Sequence, residues 1–277
     1  MLDGLRSAGL RGLEWSEAPS ATRAQLRLVH SPAHVARILD TPVSGEVALD
    51  EDTGMNAHSA EAALRAAGAV CAAVDAVMMG ECERAFCAVR PPGHHATPDR
   101  AMGFCLFNSI AVGAAYALER HFLERVAIVD FDVHHGNGTQ DCFAAEPRVL
   151  YLSTHERGLF PHTGLSWERG VGNIHNVLLP EGSGSERFRK VYAEKLLPEL
   201  DDFRPQLLLV SAGFDAHRAD PLAEMMLETA DFAWITRELL AIALRHSRGR
   251  MVSALEGGYD VPALRESAVA HVREMMG

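Results

Sequence analysis

Short, continuous runs of apolar residues alternate along the chain with longer segments of helical periodicity. The apolar runs predict buried strands, and the segments between them predict helices. Because strands alternate with helices, we expect an α/β fold in which a mostly parallel central sheet carries helices on both faces. Strands are predicted at 84–89, 126–129, 149–153, 206–212 and 251–255, with a short one at 13–15; helices at 2–8, 22–30, 32–40, 59–79, 108–121, 139–145, 186–201, 229–246 and from Pro262; and loops at 41–58 and 154–173.

The stretch VAIVDFDVHHGNG at 126–138 carries the densest group of candidate ligands. Side chains alternate along an extended backbone, so Asp130, Asp132 and His134 are expected to point to the same side of the strand end. A divalent metal would use this cluster, because unpaired buried carboxylates cost on the order of several kcal/mol or stay protonated. A polar strand end that is hydrogen-bonded to neighbouring loops is the alternative. His135 points the other way and is expected to be structural.

Three further strands end in loops with groups that hydrolysis needs. PPGHH supplies His94 and His95, GFDAH supplies Asp215, and EGGYD supplies Tyr259. Each has a simpler explanation, since the histidine pair could be incidental, Asp215 could cap a helix, and the two glycines before Tyr259 could form a turn. Their shared position at strand ends, where α/β folds place ligand sites, favours one common site.

Such a site could activate water. Ligation by Asp132, His134 and Asp215 would leave metal positions open for a water and a substrate oxygen, as in catalytic rather than structural zinc sites. A bound metal lowers the pKa of water toward about 7. A neutral imidazole, from His94 or His95, can then take the proton and return it to a leaving group. The sequence therefore indicates metal-assisted hydrolysis.

The composition of the 277 residues restricts the class of protein. With 48% hydrophobic and 23% charged residues the chain is typical of a globular protein, and its length suits one large domain, 1–277. No continuous apolar run reaches the roughly 18 residues of a membrane span and no export signal opens the chain, so we expect a cytoplasmic protein without a membrane partner.

Five cysteines without a Cys-x-x-Cys pair favour reduced thiols over a thiolate zinc site. A net charge of −11 without a basic block disfavours nucleic acid as a partner.

Several motifs follow one another in a specific order: PPGHHA, GFCLFN, DFDVHHGNGTQ, LST with FPHTG, SAGFDAHRADPL and LEGGY. In this order and spacing the chain, from about Ser31 to its C-terminus, resembles the zinc-dependent histone deacetylase superfamily. The Asn in HHGNG and the GFDAH variant look like class II and bacterial members. The resemblance implies a three-layer, arginase/deacetylase-like α/β fold. It also implies hydrolysis of an acetyl or other short acyl group from acyl-lysine or a similar acylated amine.

The same resemblance implies a role for each residue of the site. Some members have Asp where this chain has Asn137, so the imidazole of His95 would have an amide partner here. The implied roles are electrostatic support (His94), general base and acid (His95), hydrogen-bond partners of these two imidazoles (Asp130 and Asn137), zinc ligands (Asp132, His134 and Asp215), and polarisation of the acyl carbonyl with stabilisation of the oxyanion (Tyr259).

Residues that match the acyl-lysine tunnel of the family are Gly103, Phe104 and Phe160. Members that prefer acetylpolyamines have Glu at the tunnel rim seven residues after the last zinc Asp, and this chain has Leu222 there. That argues against a polyamine gatekeeper, although Glu224 is close by.

The family also holds K+ beside Zn2+, so both ions are expected as cofactors. The residues that match one potassium site are Asp130, Asp132, His134 and Ser153, partly through backbone oxygens. A second site is expected around Phe143 and Val149.

Two other functions stay open. A dinuclear manganese ureohydrolase of the arginase type shares the fold, but it needs further carboxylates where this chain has Val133 and Asn137. A non-catalytic acyl-lysine binder would retain the pocket, although the intact His94, His95 and Tyr259 argue against it. The chain also begins at the helix that follows the family's usual first strand, so either the protein starts upstream or its sheet lacks that strand.

Overall fold

Residues 1–277 are described by a computed structural model in which a six-stranded sheet forms the middle layer. The strands are β1 (Val47–Ala48), β2 (Gly54–Met55), β3 (Arg84–Cys87), β4 (Val126–Asp130), β5 (Val149–Glu156), β6 (Ile174–Leu179), β7 (Leu207–Ala212) and β8 (Met251–Leu255). The helices are α1 (Leu2–Ser7), α2 (Arg23–Leu26), α3 (Pro32–Leu39), α4 (Ser59–Met79), α5 (Ser109–Arg120), α6 (Asn137–Phe143), α7 (Ser185–Val191), α8 (Leu197–Phe203), α9 (Thr229–His246) and α10 (Val261–Met276), with a π-helical turn at Tyr192–Leu196. The β1–β2 pair is antiparallel, whereas the large sheet has the order β3-β8-β7-β4-β5-β6 with every neighbouring pair parallel. The predicted parallel α/β architecture is confirmed.

Each face of the large sheet is covered by its own apolar core. In β4 every residue is buried, with Val129 in the core formed with α9 and α10 and Ile128 in the core formed with α4 and α5. Successive side chains of a strand point to opposite faces, so a continuous apolar run is the pattern of a strand between two helical layers. A third cluster, around Leu26, Ile38 and Phe107, packs the N-terminal helices against the rest. The predicted three layers are present.

The order of the strands decides where the loops with candidate chemistry meet. Strands β3, β8, β7 and β4 are consecutive neighbours and run in the same direction. The loops after them contain PPGHH, EGGYD, GFDAH and DVHHGNG, and all four therefore leave from one edge of the sheet. This carboxyl edge is where parallel sheets place their ligand sites.

Several local predictions were wrong. Residues 13–15 form no strand, the predicted helix at 22–30 is helical only at Arg23–Leu26, and the predicted loop at 41–58 contains β1 and β2. The apolar pattern also misses β6. This strand lies at an edge of the sheet, and its sequence IHNVLL mixes buried with half-buried positions, so no continuous apolar run marks it.

The predicted helix at 186–201 is divided into α7, the π-helical turn and α8. Pro198 lies in the first turn of α8 and has no N–H to donate, so the regular hydrogen-bond ladder cannot pass through it. The π-helical turn directly precedes this proline, and such turns accommodate a local break in the ladder. The interruption is therefore a consequence of the proline.

One helix, α4, is long and apolar enough to cross a membrane by length and composition alone, with a mean hydropathy of 1.6. Half of that stretch is buried inside the protein, where Val70 and Val74 join the core shared with α5. A buried core helix passes the same test, so a single helix of this kind is weak evidence for a membrane span.

Candidate active site

The strand ends bring Asp132, His134 and Asp215 together into one possible metal site. Nδ1 of His134 lies 3.1 Å from Oδ1 of Asp132 and 3.1 Å from Oδ2 of Asp215. One ligand atom from each residue lies within 4.8 Å of the others. Both carboxylates are buried, while His134 is partly accessible. The structure thus collects the three predicted ligands from the ends of β4 and β7.

The triad has more negative than positive charge, which favours a bound cation. Burial and the charge of Asp132 raise the pKa of Asp215 to about 7. Burial lowers the pKa of His134, but its hydrogen bonds to Asp132 and Asp215 outweigh this and raise it to about 10. Two buried carboxylates therefore share one imidazole, and a divalent ion would supply the missing positive charge. Two carboxylate oxygens and one imidazole nitrogen are also a donor set that zinc accepts.

Gly257 leaves the space above the two carboxylates free. Its N–H donates to Oδ2 of Asp132 at 2.8 Å. A Cβ at this position would lie 2.1 Å from Oδ2 of Asp215 and 2.8 Å from Oδ2 of Asp132. The EGGYD loop therefore passes directly against the triad, and Gly257 belongs to the site rather than to an incidental turn.

His94 and His95 lie side by side at the same edge of the sheet. Their ring centroids are 4.0 Å apart, and the residues are 2% and 4% exposed. Nδ1 of His94 lies 3.0 Å from Oδ2 of Asp130, and Nδ1 of His95 lies 2.9 Å from Oδ1 of Asn137. The structure places both predicted partners beside their imidazoles.

The two imidazoles differ in their affinity for a proton. Burial lowers the pKa of His94, but Asp132, Asp130 and Glu256 outweigh it and raise the pKa well above its ordinary value of 6.5. Burial and the neighbouring His94 lower the pKa of His95 well below that value. His95 is therefore the neutral member of the pair, which is the form that can accept a proton.

Glu256 is a residue of the site that the sequence interpretation misses. It is 1% exposed, and its Oε2 accepts hydrogen bonds from the backbone N–H groups of Gly93 at 2.6 Å and His94 at 3.1 Å. Its Oε1 accepts the hydroxyl of Ser211 at 3.1 Å. The carboxyl group therefore ties the PPGHH loop to β7 and β8. An acidic residue directly after a fully buried strand, with the sequence MVSAL, is the signal that could have identified it.

Tyr259 is held at the site through its backbone. Oδ2 of Asp220 accepts the N–H of Tyr259 at 2.7 Å, and its Oδ1 accepts the N–H of Leu222 at 3.1 Å. Burial, followed by the charges of Asp215 and Asp132, raises the pKa of the Tyr259 phenol far above its ordinary range. The phenol therefore keeps its proton and can act as a hydrogen-bond donor.

The predicted tunnel residues lie around these groups. The ring of Phe160 is 5.0 Å from that of His95, and the ring of Phe104 is 6.0 Å from that of Tyr259, both edge-on. Gly103 also lies against the imidazole of His95, since a Cβ there would be 2.4 Å from Cδ2 of that ring. Leu222 is 44% exposed. The aromatic residues thus flank the two groups assigned to acid–base and carbonyl chemistry.

The segment 41–58, which was predicted as a loop, supports this wall. Oδ1 of Asp52 accepts the N–H of Gly103 at 3.0 Å, and Oγ1 of Thr53 accepts the N–H of Phe104 at 2.9 Å. Phe104 needs this support, because its φ of 65° is uncommon for a residue with a side chain.

Asp130 and Ser153, predicted potassium ligands, are register partners on β4 and β5 and are fully buried. Oδ2 of Asp130 accepts the phenol of Tyr151 at 3.0 Å in addition to its contact with His94. Oγ of Ser153 lies 3.0 Å from Nδ1 of His155. The residues are adjacent, while their side-chain oxygens already have protein partners.

Known proteins with similar sequences and structures were found. The sequence model of the histone deacetylase domain family matches residues 1–275. The chain is 40% identical over 270 residues to a histone deacetylase-like amidohydrolase of Pseudomonas aeruginosa, covering 96% of this chain and 71% of that protein. It is 38% identical over 294 residues to the human polyamine deacetylase HDAC10, covering 100% of this chain and 43% of that protein. The crystal structure of the HDA15 HD domain superposes with a TM-score of 0.93 at 35% identity, covering 100% of this chain and 79% of that one.

These similarities extend over nearly the whole chain and include both sequence and fold. They confirm the predicted arginase/deacetylase-like fold and support a deacetylase or amidohydrolase activity. They do not favour the arginase-type alternative. From the family match and the relatives above 30% identity we conclude that this chain belongs to the histone deacetylase family.

Proposed function

We propose that this protein is a zinc-dependent amidohydrolase that removes an acetyl or other short acyl group from acyl-lysine or a similar acylated amine. The observation that carries the proposal is the convergence of Asp132, His134 and Asp215 beside a pair of imidazoles with opposite proton affinities. Three ligands would hold the ion with positions left open. When bound, zinc supplies Lewis-acid polarisation of the acyl carbonyl and acidifies water.

His95 supplies the general base. Its neutral imidazole takes a proton from the attacking water and later gives it to the leaving amine. Oδ1 of Asn137, 2.9 Å from Nδ1, fixes the ring orientation and leaves Nε2 for the reaction. His94, paired with Asp130, keeps its own proton and supplies positive charge beside the developing oxyanion.

Tyr259 supplies a hydrogen bond to the acyl oxygen. Its phenol stays protonated, so it can polarise the carbonyl and stabilise the oxyanion in the transition state. A phenylalanine at this position would keep the ring and lose only the donor.

The rim of the site favours a lysine side chain over a polyamine. Phe104 and Phe160 provide apolar walls for a methylene chain. Leu222 offers no carboxylate to a second ammonium group, in contrast to the Glu expected at this position in a polyamine enzyme. Glu224 lies two residues after Leu222, and its backbone N–H donates to Oε2 of Glu156 at 2.9 Å.

A potassium ion beside the zinc is also part of the proposal, with Asp130 and Ser153 as neighbours on adjacent strands. Its test is the rate of deacylation in K+ compared with N-methylglucamine at equal ionic strength. A deacylation rate that does not depend on K+ would contradict a role for potassium in the reaction.

The decisive experiment compares Tyr259→Phe with the wild type on an acetyl-lysine peptide. We expect turnover to fall by roughly 10²–10³-fold, the usual cost of one oxyanion donor, while zinc content by elemental analysis stays at one equivalent. Tyr116→Phe is the matched control, since that phenol contacts Asp75 away from the site, and its rate should be unchanged.

Further measurements and their outcomes complete this test. Chelation should abolish turnover and added Zn2+ should restore it. Parallel assays with an acetylpolyamine and a longer acyl-lysine identify the preferred amine and acyl group. An undiminished rate in Tyr259→Phe would refute the assigned role. Peptide binding without turnover in the zinc-loaded wild type would favour a binding protein instead.

A further inference from the structure

Three backbone carbonyl oxygens converge at the turn between α6 and β5, and none of them belongs to the proposed catalytic site. The backbone carbonyls of Phe143, Glu146 and Val149 all point at one atom, Nδ2 of Asn173. The distances are 2.8, 3.0 and 2.8 Å. Phe143, Val149 and Asn173 are 3%, 0% and 6% exposed and Glu146 is half-buried, so most of the cluster is shielded from solvent. This is the position around which the sequence resemblance predicts a second potassium ion.

The arrangement has the form of a cation site. Converging backbone carbonyls that replace a hydration shell are how proteins hold potassium. Here, however, the centre of the carbonyl group is taken by an amide nitrogen, which carries a partial positive charge and two N–H donors. With three acceptors for two hydrogens, one N–H is shared between two carbonyls, as occurs in three-centre hydrogen bonds.

The amide is also fixed in this orientation. Oδ1 of Asn173 accepts the N–H of Val171 at 3.2 Å, and its backbone carbonyl accepts the N–H of Tyr151 at 2.9 Å. Turning the side-chain amide over would bring its oxygen against three carbonyl oxygens and lose the hydrogen bonds of Oδ1 and Nδ2. Gly170 closes the remaining side, since a Cβ there would lie 2.7 Å from Oδ1 of Asn173.

We propose that the side-chain amide of Asn173 replaces the second cation, so that the chain binds no potassium in the carbonyl cluster of Phe143, Glu146 and Val149. The residues present do not fit a second ion, because the position it would take already has an occupant with complementary hydrogen bonds. The amide links the end of α6 to the start of β6 within the chain itself. The stability of this turn is therefore independent of monovalent cations.

The first arm of the test uses the unaltered protein. Crystals of the zinc-loaded wild type soaked in Rb+, a potassium substitute with a strong anomalous signal, are expected to show no anomalous density within the carbonyl cluster. Rb+ density at that point, with the Asn173 amide turned away, would overturn the proposal.

The second arm removes the amide. In Asn173→Ala the three carbonyls lose their donor, and we expect Tm in N-methylglucamine to fall by roughly 5 °C or more. Potassium at equal ionic strength should restore part of this loss, and Rb+ should now appear in the cluster. The K+ effect on Tm in the wild type is subtracted, because it reports any other cation site. A variant whose Tm responds to K+ no more than the wild type would show that the cluster is not a replaced cation site.

Two further variants make the comparison specific. Asn176→Ala is the matched control: Asn176 is also a buried asparagine at this edge of the sheet, but its amide donates to Gln140 and not to the cluster. Its response to K+ should equal that of the wild type. Should Asn173→Ala fail to fold, Asn173→Ser leaves more of the side chain in place and is measured in the same way.

Discussion

Replacing Asn137 by Asp is expected to move the acidic limb of the deacylation pH profile to higher pH. Oδ1 of Asn137 lies 2.9 Å from Nδ1 of His95, and Asn137 is only 8% exposed. In the wild type an uncharged amide contacts the base, and burial together with His94 keeps the pKa of His95 well below 6.5. A carboxylate of the same shape keeps the hydrogen bond and adds a negative charge that favours the protonated imidazole.

The size of the shift follows from the geometry. With the two charges about 4 Å apart and an effective dielectric constant of about 20, their attraction is about 4 kcal/mol, or about 3 pKa units. Burial of the new carboxylate costs part of this. We therefore expect the pKa of His95 to rise by roughly one to three units. The base must be neutral to act, so the acidic limb should rise by the same amount.

The assay is kcat/KM for an acetyl-lysine peptide from pH 5 to pH 10, with zinc content measured for each variant. Asn137→Ala is the control that removes the amide without adding charge. It should lower the rate, because the ring loses its orienting partner, and it should leave the acidic limb in place or move it downward. An acidic limb in Asn137→Asp that coincides with that of the wild type, in a zinc-loaded protein, would show that His95 is not the base.

Three further predictions concern the support of the site. Gly103→Ala should lower kcat/KM by on the order of 10²-fold with a folded protein by circular dichroism, because its Cβ would lie 2.4 Å from Cδ2 of His95 and the glycine has φ of 56°. Glu256→Ala leaves three buried donors without an acceptor and should cost roughly 3 kcal/mol or more in urea unfolding, whereas Glu256→Gln, which keeps one accepting oxygen, should cost less. Since burial and the charge of Asp132 raise the pKa of Asp215 from 3.8 to about 7, this group should contribute a loss of stability to the chelated protein as the pH rises from about 4 to about 7, because the unfolded chain ionises first; Asp215→Asn, which does not titrate, is the reference that isolates this contribution. Thermal unfolding with and without Zn2+ across that range checks this, and a loss that zinc does not reduce would contradict the assigned ligands.

The sequence is sufficient to predict that the candidate groups lie at strand ends, because each group follows an apolar run and parallel strands end at a common edge. The alternation rule applies only as far as Asp130, where β4 ends, and Asp132 and His134 lie in the bend that follows. What the sequence cannot show is that β8, β7 and β4 are neighbours, since this order depends on packing between distant segments. The meeting of Asp215 and Tyr259 with β4 was therefore inferred from the shared type of position and from the resemblance, rather than from any local pattern.

The supporting residues were harder to predict for the same reason. Glu256 contacts His94 across 162 residues of sequence, and Asp52 contacts Gly103 across 51. Asp52 has the pattern of an ordinary loop residue, and the position of Glu256 directly after a buried strand does not indicate which groups it contacts. Similarly, the role of Asn173 depends on hydrogen bonds to three carbonyls that lie 24 to 30 residues before it in the sequence. Such contacts are specified by the tertiary structure, and a pattern with a period of two or 3.6 residues contains no information about them.

The protonation states of His94 and His95 depend on the side chains near each ring rather than on the position of the ring in the sequence. His94 and His95 are adjacent in sequence, similarly buried, and both have Nδ1 directed at a side-chain oxygen about 3 Å away. One difference is that the first oxygen belongs to the carboxylate of Asp130 and the second to the amide of Asn137, and another is that the carboxylates of Asp132 and Glu256 raise the pKa of His94 further. Because the two rings lie 4.0 Å apart, a proton held by the first also discourages a proton on the second. The carboxylates of Asp132, Asp130 and Glu256 near the first ring, and the amide of Asn137 beside the second, thus make one of two identical side chains a charged ring and the other a neutral base.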